Sequence, residues 1–350
     1  MAIAVEFLPV GDSDGDAIIV QYGTEESYWM TVVDGGYASV GEQVIEHIEK
    51  TYGKGITIHD MVVSHADNDH AAGLIPVFKH FKVGALWMNR PWLYASEVID
   101  QFHGNWTMQG WIDHVRSNHE YLVELEDLAR SRRMEPNAVF QGAQIGCSHV
   151  LAPSKARYVS LIPDLDKTPP PYRSDAAPKS FLQTARNVLD AVKETLQIET
   201  LDKNPPATSA SNETSVVQLA MYDNKKILLT ADVGPEGLAE AANYAYQRGF
   251  LSAPDLVQIP HQGSRRNVRP DVLDAWLGVA NGGTSTRGHA MVSVGAKKTE
   301  HPRKKVKNAF IRRGYPVYVG RTGWIRQNYG FTTRGTDLNA ERFSYDVEED

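Results

Sequence analysis

Ser64-His65-Ala66-Asp67-Asn68-Asp69-His70 places two histidines and two aspartates within six residues, directly after the apolar run Met61-Val62-Val63. Side chains of this kind at this density make a poor core. Imidazole nitrogens and carboxylate oxygens together form a ligand set for one or two divalent ions. The mixture fits zinc, manganese or iron better than calcium or magnesium. A polar loop that holds no metal can have the same composition. Context bears on the choice. Leu74, Ile75, Val77, Phe78 and Phe81 follow at helical spacing, which predicts a helix over Asp69–Phe81. The cluster then sits at a strand-to-helix junction, where α/β proteins place their sites.

Three further polar residues follow apolar strands in the second half. Asp232 ends Ile227-Leu228-Leu229-Thr230-Ala231-Asp232, His261 follows Leu256-Val257-Gln258-Ile259-Pro260, and His301 lies beyond Ser293-Val294-Gly295. Singly each is ordinary, since an Asp after a strand is a common helix N-cap and a lone His is often structural. With His65, Asp67, Asp69 and His70 they repeat one ligand chemistry at successive strand ends. Asp34, in Val33-Asp34-Gly35-Gly36, can orient a ligand histidine or serve as a turn aspartate.

The elements that must position these residues alternate. Ala4–Val10, Ala17–Tyr22 and Tyr28–Val33 read as strands, Ser39–Thr51 as an amphipathic helix, Met61–Ser64 and Ala85–Met88 as strands. Residues 91–135 read as a helical insertion: Trp92, Tyr94, Phe102, Trp106 and Trp111 crowd together ahead of a long charged helix over Asp113–Arg133. It could wall the site or be a packed structural pair. His103, His114 and His119 lie in it without ligand-like spacing. A proline-rich excursion spans about 163–211 and flanks a predicted helix, Phe181–Leu196. Then come a hairpin turning at Asp223-Asn224 between Ser215–Met221 and Lys226–Thr230, helices over Pro235–Gln247, Pro270–Val279 and Pro302–Arg313, and strands over Leu256–Ile259, Ala290–Val294 and Pro316–Val319. Residues 336–350 form an acidic tail, and 1–335 read as one domain.

A chain of 350 residues with 42% hydrophobic and 23% charged residues has the composition of a soluble globular protein. No stretch reaches the apolar length of a membrane span, and the N-terminus has no signal-peptide pattern. The single cysteine, Cys147, excludes an intramolecular disulfide, fits the cytosol and reads as a packed core thiol. The net charge of −7 argues against a general nucleic-acid coat but not against a local basic patch. Such a patch is present in the sequence: Lys297 to Arg326 holds ten Lys or Arg and one acid, Glu300, and Arg265 and Arg266 follow His261 closely. Cations beside candidate metal ligands suit a polyanion. A solvated helix face accounts for Lys304, Lys305 and Lys307 equally simply.

The order of these motifs resembles the metallo-β-lactamase superfamily, whose signature is a His-x-His-x-Asp-His loop followed by an Asp and a His at later strand ends. The resemblance runs across most of the chain and is closest to the metallohydrolase domain of ComEC-type competence proteins and their free-standing relatives. Val10 to Ala17 is similar to their Val-Gly-x-Gly-Asp-Ala with extra residues. Asp34-Gly35-Gly36 is similar to their Asp-x-Gly, Leu228–Asp232 to Leu-Leu-Thr-Gly-Asp, His261-Gln262-Gly263-Ser264 to His-His-Gly-Ser, and Glu300-His301-Pro302 to Gly-His-Pro. Departures accompany the matches. Asp67 stands where the signature has its second His, Gln262 replaces the second His of a pair, and Asn212 occupies about the place of a third-motif His.

The resemblance implies a four-layer αββα sandwich and two divalent ions, Zn or Mn. It implies His65 and Asp67 on the first, Asp69, His70 and His301 on the second, and Asp232 bridging. Asn212 would be a weak ligand or would position substrate, and Asp34 would orient a ligand histidine. The ions would clamp a water or hydroxide and lower its pKa, with Asp69 accepting its proton and His261 acting as a further ligand or a donor to the leaving group. The implied activity is a phosphodiesterase or nuclease acting on nucleic acid or nucleotides, with Arg265, Arg266, Arg303, Lys304 and Lys305, and also Arg312 and Arg313, contacting phosphate. A hydrolase of a small ester, lactone or thioester, with an apolar pocket of Trp92, Trp106 and Trp111, is the second reading. A non-catalytic metal-binding protein is the third.

Overall fold

The structure is a computed structural model that describes residues 1–172, 194–195, 198–332 and, for the backbone alone, 341–342. Its first sheet has six strands, β1 (Ala2–Phe7), β2 (Ala17–Gly23), β3 (Tyr28–Gly35), β4 (Thr57–Val62), β5 (Lys82–Trp87) and, from far along the chain, β13 (Ile325–Tyr329), in the order β13-β1-β2-β3-β4-β5. The second has eight: β6 (Gln144–Ile145), β7 (Ser148–Ala152), β8 (Val217–Tyr222), β9 (Lys225–Leu229), β10 (Leu256–Gln258), β11 (His289–Ser293), β12 (Val317–Gly320) and β14 (Glu341–Arg342), in the order β14-β12-β11-β10-β9-β8-β7-β6. Both sheets are mixed. β3, β4 and β5 run parallel, as do β9 to β12, and the remaining pairs are antiparallel.

Strand alternation produces the layers. Ile3, Val5, Phe7, Ile18 and Val20 point at Val150, Ala220, Ile227, Leu229 and Met291 of the other sheet and form the central core. Their neighbours Ala17, Ile19, Met30 and Val32 face outward onto α1 (Ala38–Tyr52), α3 (Leu74–His80), α5 (Met108–Asn118) and α6 (Glu120–Ser131). Leu219, Leu228, Val257, Ala290 and Val317 face the opposite way onto α9 (Pro235–Gln247), α10 (Pro270–Leu277) and α11 (Lys304–Arg312). Helices on the outside of two facing sheets make the αββα sandwich that the resemblance implies.

Several elements depart from expectation for reasons visible in the backbone. The helix expected over Asp69–Phe81 is two, α2 (Asn68–Ala71) and α3. The amide of Gly73 bonds Gly36 O at 2.8 Å, outside the helix, and a Cβ on Gly73 would lie 1.8 Å from Gly35 O. Two glycines therefore let the metal-ligand loop and the turn at Asp34 touch backbone to backbone. The expected Met61–Ser64 strand sits earlier, at Thr57–Val62, because the Ser64 amide is taken by the Asp34 side chain. The long charged helix divides at His119, whose ring Nδ1 bonds Val115 O at 2.7 Å. Trp92, Tyr94, Phe102 and Trp111 are buried in the outer core, so the insertion, with its short α4 (Ala95–Val98), is packed structure. The Asp223-Asn224 turn is present with both residues at positive φ, 48 and 62. The helix expected over Phe181–Leu196 lies outside the described residues apart from Glu194 and Thr195, as does the tail 336–350 apart from β14. Two further short helices are α7 (Lys155–Leu161) and α8 (Ala210–Glu213). Among the described residues no helix is long and apolar enough to cross a membrane.

Candidate metal centre

The carboxyl ends of β3, β4, β9 and β10 meet at one edge of the sandwich, and each delivers a polar residue there. Asp34 ends β3, His65 and His70 follow β4, Asp232 follows β9 and His261 follows β10. Side-chain atoms of His65, His70 and Asp232 lie within 4.8 Å of one another, and all three residues are buried. His70 Nε2 is 3.5 Å from Asp232 Oδ2, and His261 Nε2 is 3.6 Å from the same oxygen. Asp67 Oδ2 stands 3.5 Å from His65 Nε2. Ligands around a tetrahedral zinc with bonds of about 2.0–2.1 Å sit roughly 3.3 Å apart, so these separations are those of ligand edges.

The hydrogen bonds decide which nitrogen of each ring faces inward. Asp34 is 1% exposed and accepts from Ser64 N at 2.8 Å, Ser64 Oγ at 2.5 Å and His70 Nδ1 at 2.7 Å. The carboxylate fixes the proton of His70 on Nδ1. Ser64 Oγ spends its only hydrogen on Asp34, so it can only accept from His65 Nδ1 at 3.0 Å. That puts the His65 proton on Nδ1 as well. His261 Nδ1 lies 3.0 Å from Asn267 Oδ1. The Asn267 amide is itself oriented, because its Nδ2 donates to the carbonyls of Asp232 at 2.8 Å and Val233 at 3.2 Å. All three rings therefore turn Nε2 toward Asp232 and Asp67. His65 Nε2 and His70 Nε2 are buried with no hydrogen-bond partner. Buried imidazole nitrogens left without a partner, on rings whose far side is held by an acceptor, fit a divalent cation.

Electrostatics agree with a cation-shaped gap. Burial disfavours a charged His70 ring, but Asp232 and Asp34 outweigh it and hold its pKa well above the usual histidine value. Burial works against Asp232 also, and His70 and His261 overcome it, keeping the carboxyl ionised below its ordinary range. Asp67 is held down in the same way, against burial, by His65 and by the Ser211 hydroxyl at 2.6 Å. Backbone strain concentrates here. Asp34, Ala231, His261 and Gln262 are non-glycine residues with φ of 58, 45, 46 and 54.

The sequence-derived candidates divide. His65, Asp67, His70, Asp232 and His261 come together. Asp34 bonds the ring of His70, and Asn212 places Nδ2 3.1 Å from His261 Nδ1 while donating to Thr208 Oγ1 at 2.9 Å. Asp69 and His301 belong neither to that group nor to a second compact one, Asp16 with Asp34 and His70, all buried. Asp69 sits on α2 with its backbone against Gly15. His301 turns Nδ1 to Gln262 O at 3.3 Å, and the preceding loop is braced by Arg321 on Lys298 O at 3.0 Å. The ion assigned to Asp69, His70 and His301 is thus not assembled as expected, because His70 points at Asp232 with His65.

The basic stretch needs a larger correction. Arg312 and Arg313 are 1% exposed and bind Glu194 at 2.9 Å and Glu199 at 2.7 Å, so they are structural and not phosphate contacts. Arg326 is buried against Glu6 at 3.3 Å, and Lys297 and Lys298 pair with Asp12 at 2.6 Å and Asp14 at 3.1 Å. Arg265 and Arg266 are exposed beside His261, and Arg303, Lys304 and Lys305 open α11. Asn267 and Gln258 escaped the sequence reading, and Asp16 entered it only within the Val10–Ala17 motif, without a role. Asp16, buried, accepts from Gln258 Nε2 at 2.8 Å. An acid placed directly before an apolar strand, Ala17-Ile18-Ile19-Val20, was the available signal for Asp16.

No protein-family model matches the chain, and no curated protein matches it. Solved structures resemble it remotely. Zn²⁺-bound PqqB from Methylobacterium extorquens shares 10% identity at a TM-score of 0.41, over 93% of this chain and 99% of that one. MEM-A1, a subclass B3 metallo-β-lactamase from a soil metagenome library, shares 13% at 0.32, over 78% and 85%. An E377D mutant of the CmlA β-hydroxylase shares 10% at 0.40, over 93% of this chain and 53% of that one. Likeness at these scores leaves the family and the activity to be argued from the site itself.

Proposed function

We propose that the chain is a metal-dependent hydrolase whose ion is held by Nε2 of His65, His70 and His261 with the carboxylates of Asp232 and Asp67. The observation that carries this is the pair of buried, partnerless Nε2 atoms on His65 and His70, converging with Asp232. Three imidazoles and two carboxylates favour zinc, with manganese second. When bound, the ion would supply Lewis acidity and activate a water for attack on phosphorus or a carbonyl carbon. Asp34, Ser64 and Asn267 engage Nδ1 of His70, His65 and His261 and so aim each Nε2 at the ion's place, and Ser211 fixes the rotamer of Asp67. His261 and Asp67, with 36% and 35% of their side chains exposed, are the ligands on the solvent side, so substrate would enter past them.

The substrate reading is a phosphodiester, as in a phosphodiesterase or nuclease. The Arg303 amide donates to Gly263 O at 3.1 Å, so the loop carrying Arg265 and Arg266 adjoins the loop carrying Arg303, Lys304 and Lys305 at the His261 edge. Cations on both loops favour a polyanion. The small-ester reading has less support, because Trp92 and Trp111 of its apolar pocket are 3% and 0% exposed within the core and only Trp106 is partly exposed.

The test is hydrolysis of bis(p-nitrophenyl) phosphate, single-stranded DNA and RNA, set beside p-nitrophenyl acetate and a simple lactone, with zinc or manganese added. Phosphodiester cleavage that Asp232→Asn abolishes supports the proposal. Cleavage confined to the carboxylic esters would replace the substrate, and activity unchanged in Asp232→Asn would remove the site.

A further inference from the structure

Asp232 and His261 come from loops after different strands, yet one peptide unit places both. The Ala231 carbonyl accepts from His261 N at 3.1 Å, and Ala231 leads directly into Asp232. Ala231 has φ 45, a left-handed conformation that a residue with a Cβ adopts only when its surroundings impose it. The constraint comes from one side chain. Gln258 Oε1 accepts from Thr230 N at 2.9 Å and from Ala231 N at 3.0 Å, and Thr230 Oγ1 donates to Gln258 O at 3.1 Å. β9 and β10 pair only at Ile227 and Leu228, so beyond that point the Gln258 amide stands in for the ladder that the turn has left.

The other end of Gln258 crosses between the sheets. Its Nε2 donates to Asp16 Oδ2 at 2.8 Å, and Asp16 immediately precedes β2 of the first sheet. Gln258 and Asp16 are 2% and 5% exposed. An amide with Oε1 on two backbone N–H groups and Nε2 on a carboxyl has its orientation fully determined.

We infer that Gln258, anchored by Asp16, is a positioning residue that sets Asp232 and His261 at ligand spacing from His70, so that metal affinity in the second half of the chain depends on an acid in the first. The inference rests on the metal-centre reading above. It assigns Asp16 the role of an anchor for Gln258, which is a matter of hydrogen bonding and not of charge at the ion.

The test uses zinc affinity, read by competition with a chromophoric chelator, alongside the thermal midpoint of each metal-free protein. Gln258→Met keeps the length of the side chain and removes every hydrogen bond, and should weaken zinc binding about 10–100-fold, the range for residues that hold ligands from behind. Asp16→Ala should do the same. Asp16→Asn retains an oxygen for Gln258 Nε2 and should bind zinc within about threefold of wild type, a rescue that a ligand carboxylate would not show. The double variant Asp16→Ala with Gln258→Met should lose no more than either single change, because both break one bridge. Should Gln258→Met fail to fold, the Asp16→Ala and Asp16→Asn pair reads the same bridge from its other end. Zinc affinity unchanged in Gln258→Met, Asp16→Asn as weak as Asp16→Ala, or losses that add in the double variant would each overturn the inference. Wild-type protein that binds no zinc would overturn the metal centre and this inference together.

Discussion

Asp34→Asn is the perturbation that most cleanly separates ring orientation from fold. Asparagine tolerates the positive φ of 58 at this position, so the backbone is kept. The carboxylate faces three donors: Ser64 N on Oδ1, and Ser64 Oγ with His70 Nδ1 on Oδ2. An amide has one acceptor end. If its oxygen stays on Ser64 N, its NH2 meets His70 Nδ1, and His70 must move its proton to Nε2, into the space assigned to the ion. If the amide is turned over, NH2 opposes the buried Ser64 amide, which costs about 1–3 kcal/mol for an unsatisfied group. In the first arrangement Ser64 Oγ also loses its acceptor, so it can donate to His65 Nδ1 and flip that ring too. Either path should weaken zinc binding about 10–100-fold, or roughly 1.4–2.7 kcal/mol. The assay is chelator competition on the apoprotein, with far-UV circular dichroism as the control for fold. Zinc affinity within threefold of wild type would refute the argument that Asp34 sets the tautomers.

Other consequences can be checked in parallel. His119 is held to about 4, chiefly by burial and secondly by Lys167, against an ordinary value of 6.5. The unfolded chain therefore takes up this proton first as pH falls, so stability contributed by the neutral ring is present above about pH 6.5 and lost towards pH 4, up to about 3 kcal/mol. Urea denaturation across that window should show a shallower pH dependence in His119→Gln, and identical curves would count against it. Arg313→Ala leaves Glu199 and Asp274 without their partner and should cost about 3–5 kcal/mol in denaturant titrations while leaving the salt dependence of DNA binding unaltered. A changed salt slope would return Arg313 to the phosphate-contacting set. Charge reversal of Lys304 and Lys305 should weaken single-stranded DNA binding and flatten its log–log salt slope by about 1–2 without altering metal content; an unchanged slope would remove those lysines from the substrate reading.

The ligand cluster was legible because it rests on local pattern, and the layer order because the order of the motifs resembles that of a known superfamily. Dense His and Asp after an apolar strand, and the apolar runs of β2 and β3, are read from neighbours in sequence. Long-range polar pairing was not. β13 was missed because Ile325-Arg326-Gln327-Asn328-Tyr329 reads as polar, while in the fold Arg326 is opposite Glu6 on β1 and buried with it. The same blindness inflated the basic patch, since Glu194 and Glu199, which pair with Arg312 and Arg313, lie more than a hundred residues away. The expected partition of ligands between two ions followed motif order, whereas the direction of the His70 ring is decided by Asp34 across the loop. Asn267 and Gln258 carry no motif. Their roles exist only once β9 and β10 lie side by side.

The central claim is that His65, His70, His261, Asp67 and Asp232 hold a transition metal, and elemental analysis with metal-edge X-ray absorption of the purified wild-type chain tests it most directly. The account predicts one tightly held ion per chain with nitrogen and oxygen neighbours at about 2.0–2.1 Å and an imidazole signature, lost in His65→Ala with His70→Ala while the fold is kept. A wild-type chain that takes up neither zinc nor manganese, or a double variant that retains the ion with the same neighbours, would contradict it.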